Sequence, residues 1–153
     1  MKDPRHIAHA TAVGLDDFTF DNASEITQIA RHAPGANVHL RLLVSNQGSL
    51  AHLSKKFGAE PADAVPLLLA ARDQGLHPRG VSFHVGSQCL DARRYVEAFE
   101  AARGVFDEAA GQGLDLETGG FAPDHDGPPP QGGGAVGAAC PIPRAAEDLV
   151  QEP

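Results

Sequence analysis

Tryptophan is missing from this 153-residue chain, and aromatic side chains make up only 5% of it. Its core must therefore be built mostly from Leu, Val, Ala and Phe. Two cysteines, Cys89 and Cys140, provide neither a disulfide framework nor a Cys-x-x-Cys metal site. That usage fits a reduced, cytoplasmic setting. Basic excess is absent as well. A net charge of -8 with no basic stripe argues against nucleic acid or an anionic membrane as partner. No apolar run approaches the ~20 residues of a membrane span. The N-terminus does not read as a signal peptide. The length allows one ordinary domain, or about half of the ~250 residues of a complete (β/α)8 barrel.

What is present alternates. Pro4 to Val13 reads as a helix, with Pro4 in its first turn and Gly14 as its stop. His6 and His9 share a face there. They could be a metal pair, but with no third ligand in sight they read as solvated surface. Asp17 to Phe20 is a short strand. Asn22 caps the next helix, with Glu25 in the position that completes a capping box. Ile26, Ile29 and Ala30 mark its buried face, and Pro34-Gly35 end it. Val38 to Val44 is an apolar strand interrupted by Arg41. If that strand is buried on both faces, the charge needs a partner. Asn46 to Glu60 is a loop. Pro61 opens a helix that buries Val65, Leu67, Leu68 and Leu69. After the strand Gly80 to Val85, Asp91 opens a long helix burying Tyr95, Phe99, Ala102, Phe106 and Ala110. Leu114 to Thr118 is a last, weak strand, with Gly119-Gly120-Phe121 after it.

This alternation predicts an α/β fold with a parallel sheet and right-handed crossovers. Periodicity alone does not separate an open doubly wound sheet from part of a barrel. No Gly-x-Gly-x-x-Gly opens a helix, which leaves dinucleotide binding without support. Between Ala122 and Arg144 there are six prolines and five glycines. Such a stretch does not bury enough apolar area to offset its ordering entropy. Residues 122–153 therefore read as a disordered tail behind a domain of residues 1–121.

The most informative stretch is Gly80-Val81-Ser82-Phe83-His84-Val85-Gly86-Ser87-Gln88-Cys89. A buried strand ends there in a loop carrying His84 and Ser87, on the edge where α/β folds bind ligands. With Thr19-Phe20-Asp21, the Arg41 strand, Ser54-Lys55-Lys56-Phe57-Gly58-Ala59 and Gly119-Gly120-Phe121, this decapeptide resembles the pyridoxal phosphate (PLP) dependent decarboxylases of ornithine, diaminopimelate and arginine. That is the group IV family with an alanine-racemase-like barrel, and Ser82-Phe83 is most like its ornithine branch. The resemblance runs from about Lys2 to Phe121.

The resemblance implies a partial (β/α)8 PLP-binding barrel of about four strands, from a family that works as a homodimer on small amino-acid substrates. It implies that His84 packs on one face of the PLP ring, where the bland alternative is a satisfied core histidine. It implies that Ser87, Gly119 and Gly120 hold the phosphate, although Thr118 replaces the first of the family's usual three glycines. Arg41 is either an active-site group near the cofactor or one half of a salt bridge in the barrel. Lys56 falls near the family's subunit interface and active-site mouth. Lys2, Lys55 and Lys56 are the three lysines. None matches the family's Schiff-base lysine, whose motif falls upstream of Met1. The acidic partner of the pyridine nitrogen and the Asp and Cys of the carboxyl-terminal domain would fall beyond residue 121. The tail resembles no barrel strand, as a truncated or frame-shifted gene would give. Two functions follow. One is a fragment of an ornithine decarboxylase type carboxy-lyase, inactive alone, from polyamine synthesis with putrescine as product. The other is a non-catalytic relative that binds a partner, as antizyme inhibitors do. The substrate stays open among ornithine, lysine, diaminopimelate and arginine. Four barrel strands are also expected to leave unpaired edges and an uncovered apolar interior.

Overall fold

The computed structural model describes residues 2–44, 57–85 and 92–121, the last four by their backbone alone. Helix α1 (Pro4–Ala12) leads into strand β1 (Asp17–Phe20), and α2 (Ala23–His32) into β2 (Asn37–Leu42). Then come α3 (Pro61–Asp73), β3 (His77–Phe83), α4 (Ala92–Gly111) and β4 (Thr118–Phe121). The expected residues 122–153, the Ser54–Lys56 part of the loop, Ser87, Cys89, Asp91 and Cys140 lie outside the described residues.

The four strands pair in the order β1-β2-β3-β4, all parallel. This order decides what periodicity left open. A doubly wound sheet reverses its strand order at a switch point. Here each strand is laid beside the last, and crossovers of one hand then put every helix on the same face. The helices do form one layer, α1 against α2, α2 against α3 and α3 against α4. That is the arrangement of a (β/α)8 barrel segment.

Helix ends follow local chemistry. Asp3 caps α1 by accepting the Arg5 N–H at 2.8 Å, with Pro4 in the first turn. Asn22 caps α2 by accepting the Glu25 N–H at 3.0 Å. The second half of the expected capping box does not show in the same way. The Glu25 carboxylate takes the Lys2 backbone N–H at 3.2 Å and the Lys2 ammonium at 3.3 Å. His6 and His9 are both exposed on α1. Among the described residues no group of three or more His, Cys, Asp or Glu could hold a metal ion, and no helix is long and apolar enough to cross a membrane.

Strand faces differ sharply. Phe18, Phe20, Val38, Leu40, Leu42, Val81, Phe83 and Val85 are buried, facing Ile26, Ile29, Val65, Leu68, Ala98 and Ala102 of the helices. Of their neighbours in sequence, Asn37, His39, Arg41, Ser82 and His84 are only partly buried and Thr19 is exposed. The expectation of an uncovered apolar interior is therefore corrected. The face turned away from the helices is polar. Along its lower part, Asp17 meets the His39 imidazole at 3.3 Å, Arg79 donates to Asn37 at 3.1 Å, and Arg79 pairs with Glu117 at 2.6 Å.

Several element readings change, β2 among them, which runs from Asn37 to Leu42 rather than from Val38 to Val44. β3 starts at His77 rather than Gly80, because Pro78 is accommodated where the register with β2 shifts between Val38 and His39. β4 is Thr118–Phe121, so Gly119 and Gly120 lie within the strand rather than after it. Residues 114–117 carry the chain from α4 up to the sheet, with Leu114 N–H bound back to Ala109 and Glu117 N–H to Arg79. On α4 the buried line is Ala98, Ala102, Val105 and Ala109. Tyr95, Phe99 and Phe106 flank it half-buried, and Ala110 is exposed. Small residues, three alanines and a valine, take the centre of that line. On α3, likewise, Ala64 and Ala71 join Val65 and Leu68 in the buried set, while Leu67 and Leu69 sit at its margin.

Candidate active site

In a parallel sheet with sequential order, every strand-to-helix connection leaves the same edge. At that C-terminal edge stand Asp21 after β1, Leu43 and Val44 after β2, and His84 and Val85 after β3. The strand-to-helix connections after β2 and β3 span 43–60 and 84–91, longer than the turns at the opposite edge. Long loops above a rigid sheet are where such folds place chemistry.

Register fixes which side chains share the polar face. Arg41 pairs with Ser82 across β2 and β3, and Ser82 pairs with Gly120 across β3 and β4. His84 lies two residues beyond Ser82, so it returns to the same face. Arg41, His84 and Gly120 are thus brought to one face at one edge. Gly119, opposite Val81, belongs to the alternate face. Both expected phosphate glycines thus stand in β4 itself rather than in a loop after it. The placement of Ser87 is outside the described residues.

His84 is half-buried, and the strand beneath it is anchored by Phe83. Phe83 is 2% exposed and meets Phe99 of α4. Arg41 is half-buried too. Among the described residues no carboxylate lies within ion-pair distance of its guanidinium, so the salt-bridge reading gains no partner there. Its guanidinium carbon lies instead over the Phe57 ring, 5.7 Å from the centroid.

Two neighbours were less legible in the sequence. Asp21 accepts the Gly58 N–H at 3.0 Å and an Asn22 amide N–H at 2.6 Å. Gly58 follows Phe57 with φ +111° and lies against the Leu43 backbone. Asp21 and Phe57 line a cleft of about 200 Å³ together with Arg41, Lys2, Thr19, Phe20 and Glu25. Both stand in stretches that carry the resemblance, Thr19-Phe20-Asp21 and Ser54 to Ala59, but residue type alone assigns neither a role.

This donor set fits a phosphorylated aromatic aldehyde. A half-buried guanidinium suits an anion. A half-buried imidazole suits a ring face, and a glycine strand lets backbone N–H groups come near a phosphate.

Comparison with known proteins agrees. The family model described as pyridoxal-dependent decarboxylase, pyridoxal binding domain, matches residues 1–131. A lysine/ornithine decarboxylase of Selenomonas ruminantium is 45% identical over 129 residues, which is 82% of this chain and 33% of the relative. Antizyme inhibitor 2 of Xenopus laevis is 39% identical over 104 residues, 68% of this chain and 23% of that protein. A crystal structure of lysine decarboxylase from Selenomonas ruminantium superposes with a TM-score of 0.72 at 44% identity, covering 78% of this chain and 31% of that one. The chain thus spans about a third or less of the length of these relatives. With the sheet order, the polar edge and these likenesses in agreement, the chain belongs to the pyridoxal-dependent decarboxylases, as part of their pyridoxal-binding domain.

Proposed function

We propose that this chain is the pyridoxal phosphate-binding segment of an amino-acid decarboxylase acting on ornithine or a similar diamino acid, a carboxy-lyase of polyamine synthesis that is inactive as this segment alone. The observation that carries the reading is the convergence of Arg41, His84 and Gly120 on one face of the C-terminal sheet edge. His84 would lie against the cofactor ring. Ser87 and the backbone N–H groups of Gly119 and Gly120 would hold the phosphate. Arg41 would offer its charge to an anionic group of cofactor or substrate. What pyridoxal phosphate supplies when bound is a sink for the electron pair released as the carboxylate leaves. In the whole protein a homodimer would complete the site.

Equilibrium titration of the chain with pyridoxal phosphate tests this. Saturable, weak binding is expected, at least tenfold tighter than that of pyridoxal lacking the phosphate. His84→Ala and Ser87→Ala should each weaken it. Equal affinity for the two ligands, or no loss in either variant, would overturn the assignment.

A second reading is favoured by the likeness to an antizyme inhibitor. In it, the same segment would serve a protein that binds a partner without catalysis. Decarboxylation of ornithine by a longer protein containing this chain would decide for the enzyme, and its absence with intact pyridoxal phosphate binding would decide for the binding role.

A further inference from the structure

We infer that Phe57 is a positioning residue for Arg41, holding its guanidinium at the mouth of the cleft. The inference rests on the reading above, in which Arg41 faces an anion.

An arginine at a sheet edge has many rotamers, and fixing one costs entropy unless a neighbour selects it. A carboxylate usually does so, but among the described residues none is within ion-pair distance of Arg41. The nearby acidic groups are otherwise engaged. Glu25 holds Lys2, and Asp21 holds the Gly58 N–H and the Asn22 amide. What meets the guanidinium is the Phe57 ring at 5.7 Å, within the range of a cation–π contact. An aromatic ring selects an orientation without neutralising the charge, which leaves the donors available to a ligand.

Phe57 is 58% exposed, so burial does not account for its place. Its backbone is nonetheless fixed. Ala59 donates its N–H to the carbonyl of Arg41 itself at 2.8 Å, and Leu43 donates to the Ala59 carbonyl at 2.8 Å. Asp21 accepts from Gly58 between them. The segment 57–59 is thereby clipped to β2 on both sides of Leu42, the residue next to the arginine, and ring and guanidinium ride on one frame.

The test uses the chain with Phe57→Leu and Phe57→Tyr, each alone and with Arg41→Ala. The first readout is the pyridoxal phosphate dissociation constant. The second is the ring-current shift of the Arg41 δ protons by NMR. Phe57→Leu should weaken binding about three- to tenfold, Phe57→Tyr should restore it, and in the Arg41→Ala background Phe57→Leu should add nothing. The upfield δ-proton shift should vanish in Phe57→Leu and persist in Phe57→Tyr. An equal loss on Phe57→Leu with and without Arg41, or an unmoved δ-proton shift, would overturn the inference while leaving the cofactor assignment standing. Wild-type chain that binds no pyridoxal phosphate, with the δ-proton shift present and lost in Phe57→Leu, would overturn that assignment and support the positioning.

Discussion

The ring of Phe99 on α4 meets that of Phe83, the last residue of β3, edge-on, with centroids 5.2 Å apart and planes at 89°. Phe83 immediately precedes His84. The helix layer thus braces the strand end from which the candidate ring-contacting imidazole projects. Edge-on pairs add about 0.5–1.5 kcal/mol beyond the area they bury.

Phe99→Ala should therefore cost about 2 kcal/mol, less than the ~3–5 kcal/mol of a fully buried phenylalanine because Phe99 is half-buried. Urea unfolding measures this. Pyridoxal phosphate affinity should fall in the same variant at denaturant-free conditions, since His84 loses its support. An unchanged midpoint would mean that the ring pair does not brace the strand.

Two glycine substitutions should move stability in opposite directions. A Cβ on Gly58 would lie 2.8 Å from the Leu43 nitrogen and 2.9 Å from its Cα, with φ at +111°. Backbone atoms on both sides cannot yield cheaply, so Gly58→Ala should cost about 2–4 kcal/mol. Gly104, inside α4, has nothing within 4 Å of a built Cβ. Gly104→Ala should stabilise by about 0.5–1 kcal/mol. Thermal unfolding of both variants reads the contrast directly.

Much of this fold was legible because it rests on local signals. Asn22 and Pro4 announced their helix starts, and the alternation of elements announced a parallel sheet. Strand order was not legible, since it depends on where each crossover lands. Nor was the polar inner face. Its residues, Thr19, His39, Arg41 and Ser82, alternate with apolar ones, but a Val38–Val44 run with a single arginine reads as buried on both sides. At the site, His84 and Arg41 were visible from sequence. The Phe57 contact was not, because it depends on a loop folding back onto its own strand. The strand position of Gly119 and Gly120 was hidden for a related reason. Two glycines read as a loop until register places them in a strand.

Acidification should act locally on α1. The Asp3 carboxyl is held below the usual carboxylate range, chiefly by the Arg5 side chain, then by the Arg5 backbone N–H, with burial opposing and His6 adding to the effect. A carboxyl lowered on folding stabilises the fold above its unfolded value and stops doing so as pH falls through the folded one. Cα chemical shifts of Pro4–Ala12 should hold steady from pH 8 to about 5 and move toward coil below about 4. Asp3→Asn retains a capping oxygen without the charge and should flatten that dependence. A wild-type transition near pH 6 would assign the effect to histidine instead.

The lysines make the last prediction. The Lys2 ammonium is held by the Glu25 carboxylate at 3.3 Å and by the Thr19 carbonyl. Glu25 is 6% exposed. For Lys2 to attack an aldehyde its ammonium must surrender both contacts and withdraw its charge from a buried carboxylate, which is unfavourable. It lines the cleft beside Arg41, so proximity alone would make it the candidate. The pairing argues that it stays structural. Borohydride reduction of the chain saturated with pyridoxal phosphate, followed by peptide mass spectrometry, should show no stoichiometric label on Lys2. Glu25→Gln, which weakens the pair while retaining the side chain's shape, should raise labelling at Lys2 above its wild-type level. Stoichiometric labelling of wild-type Lys2 would show that the ion pair does not restrain it.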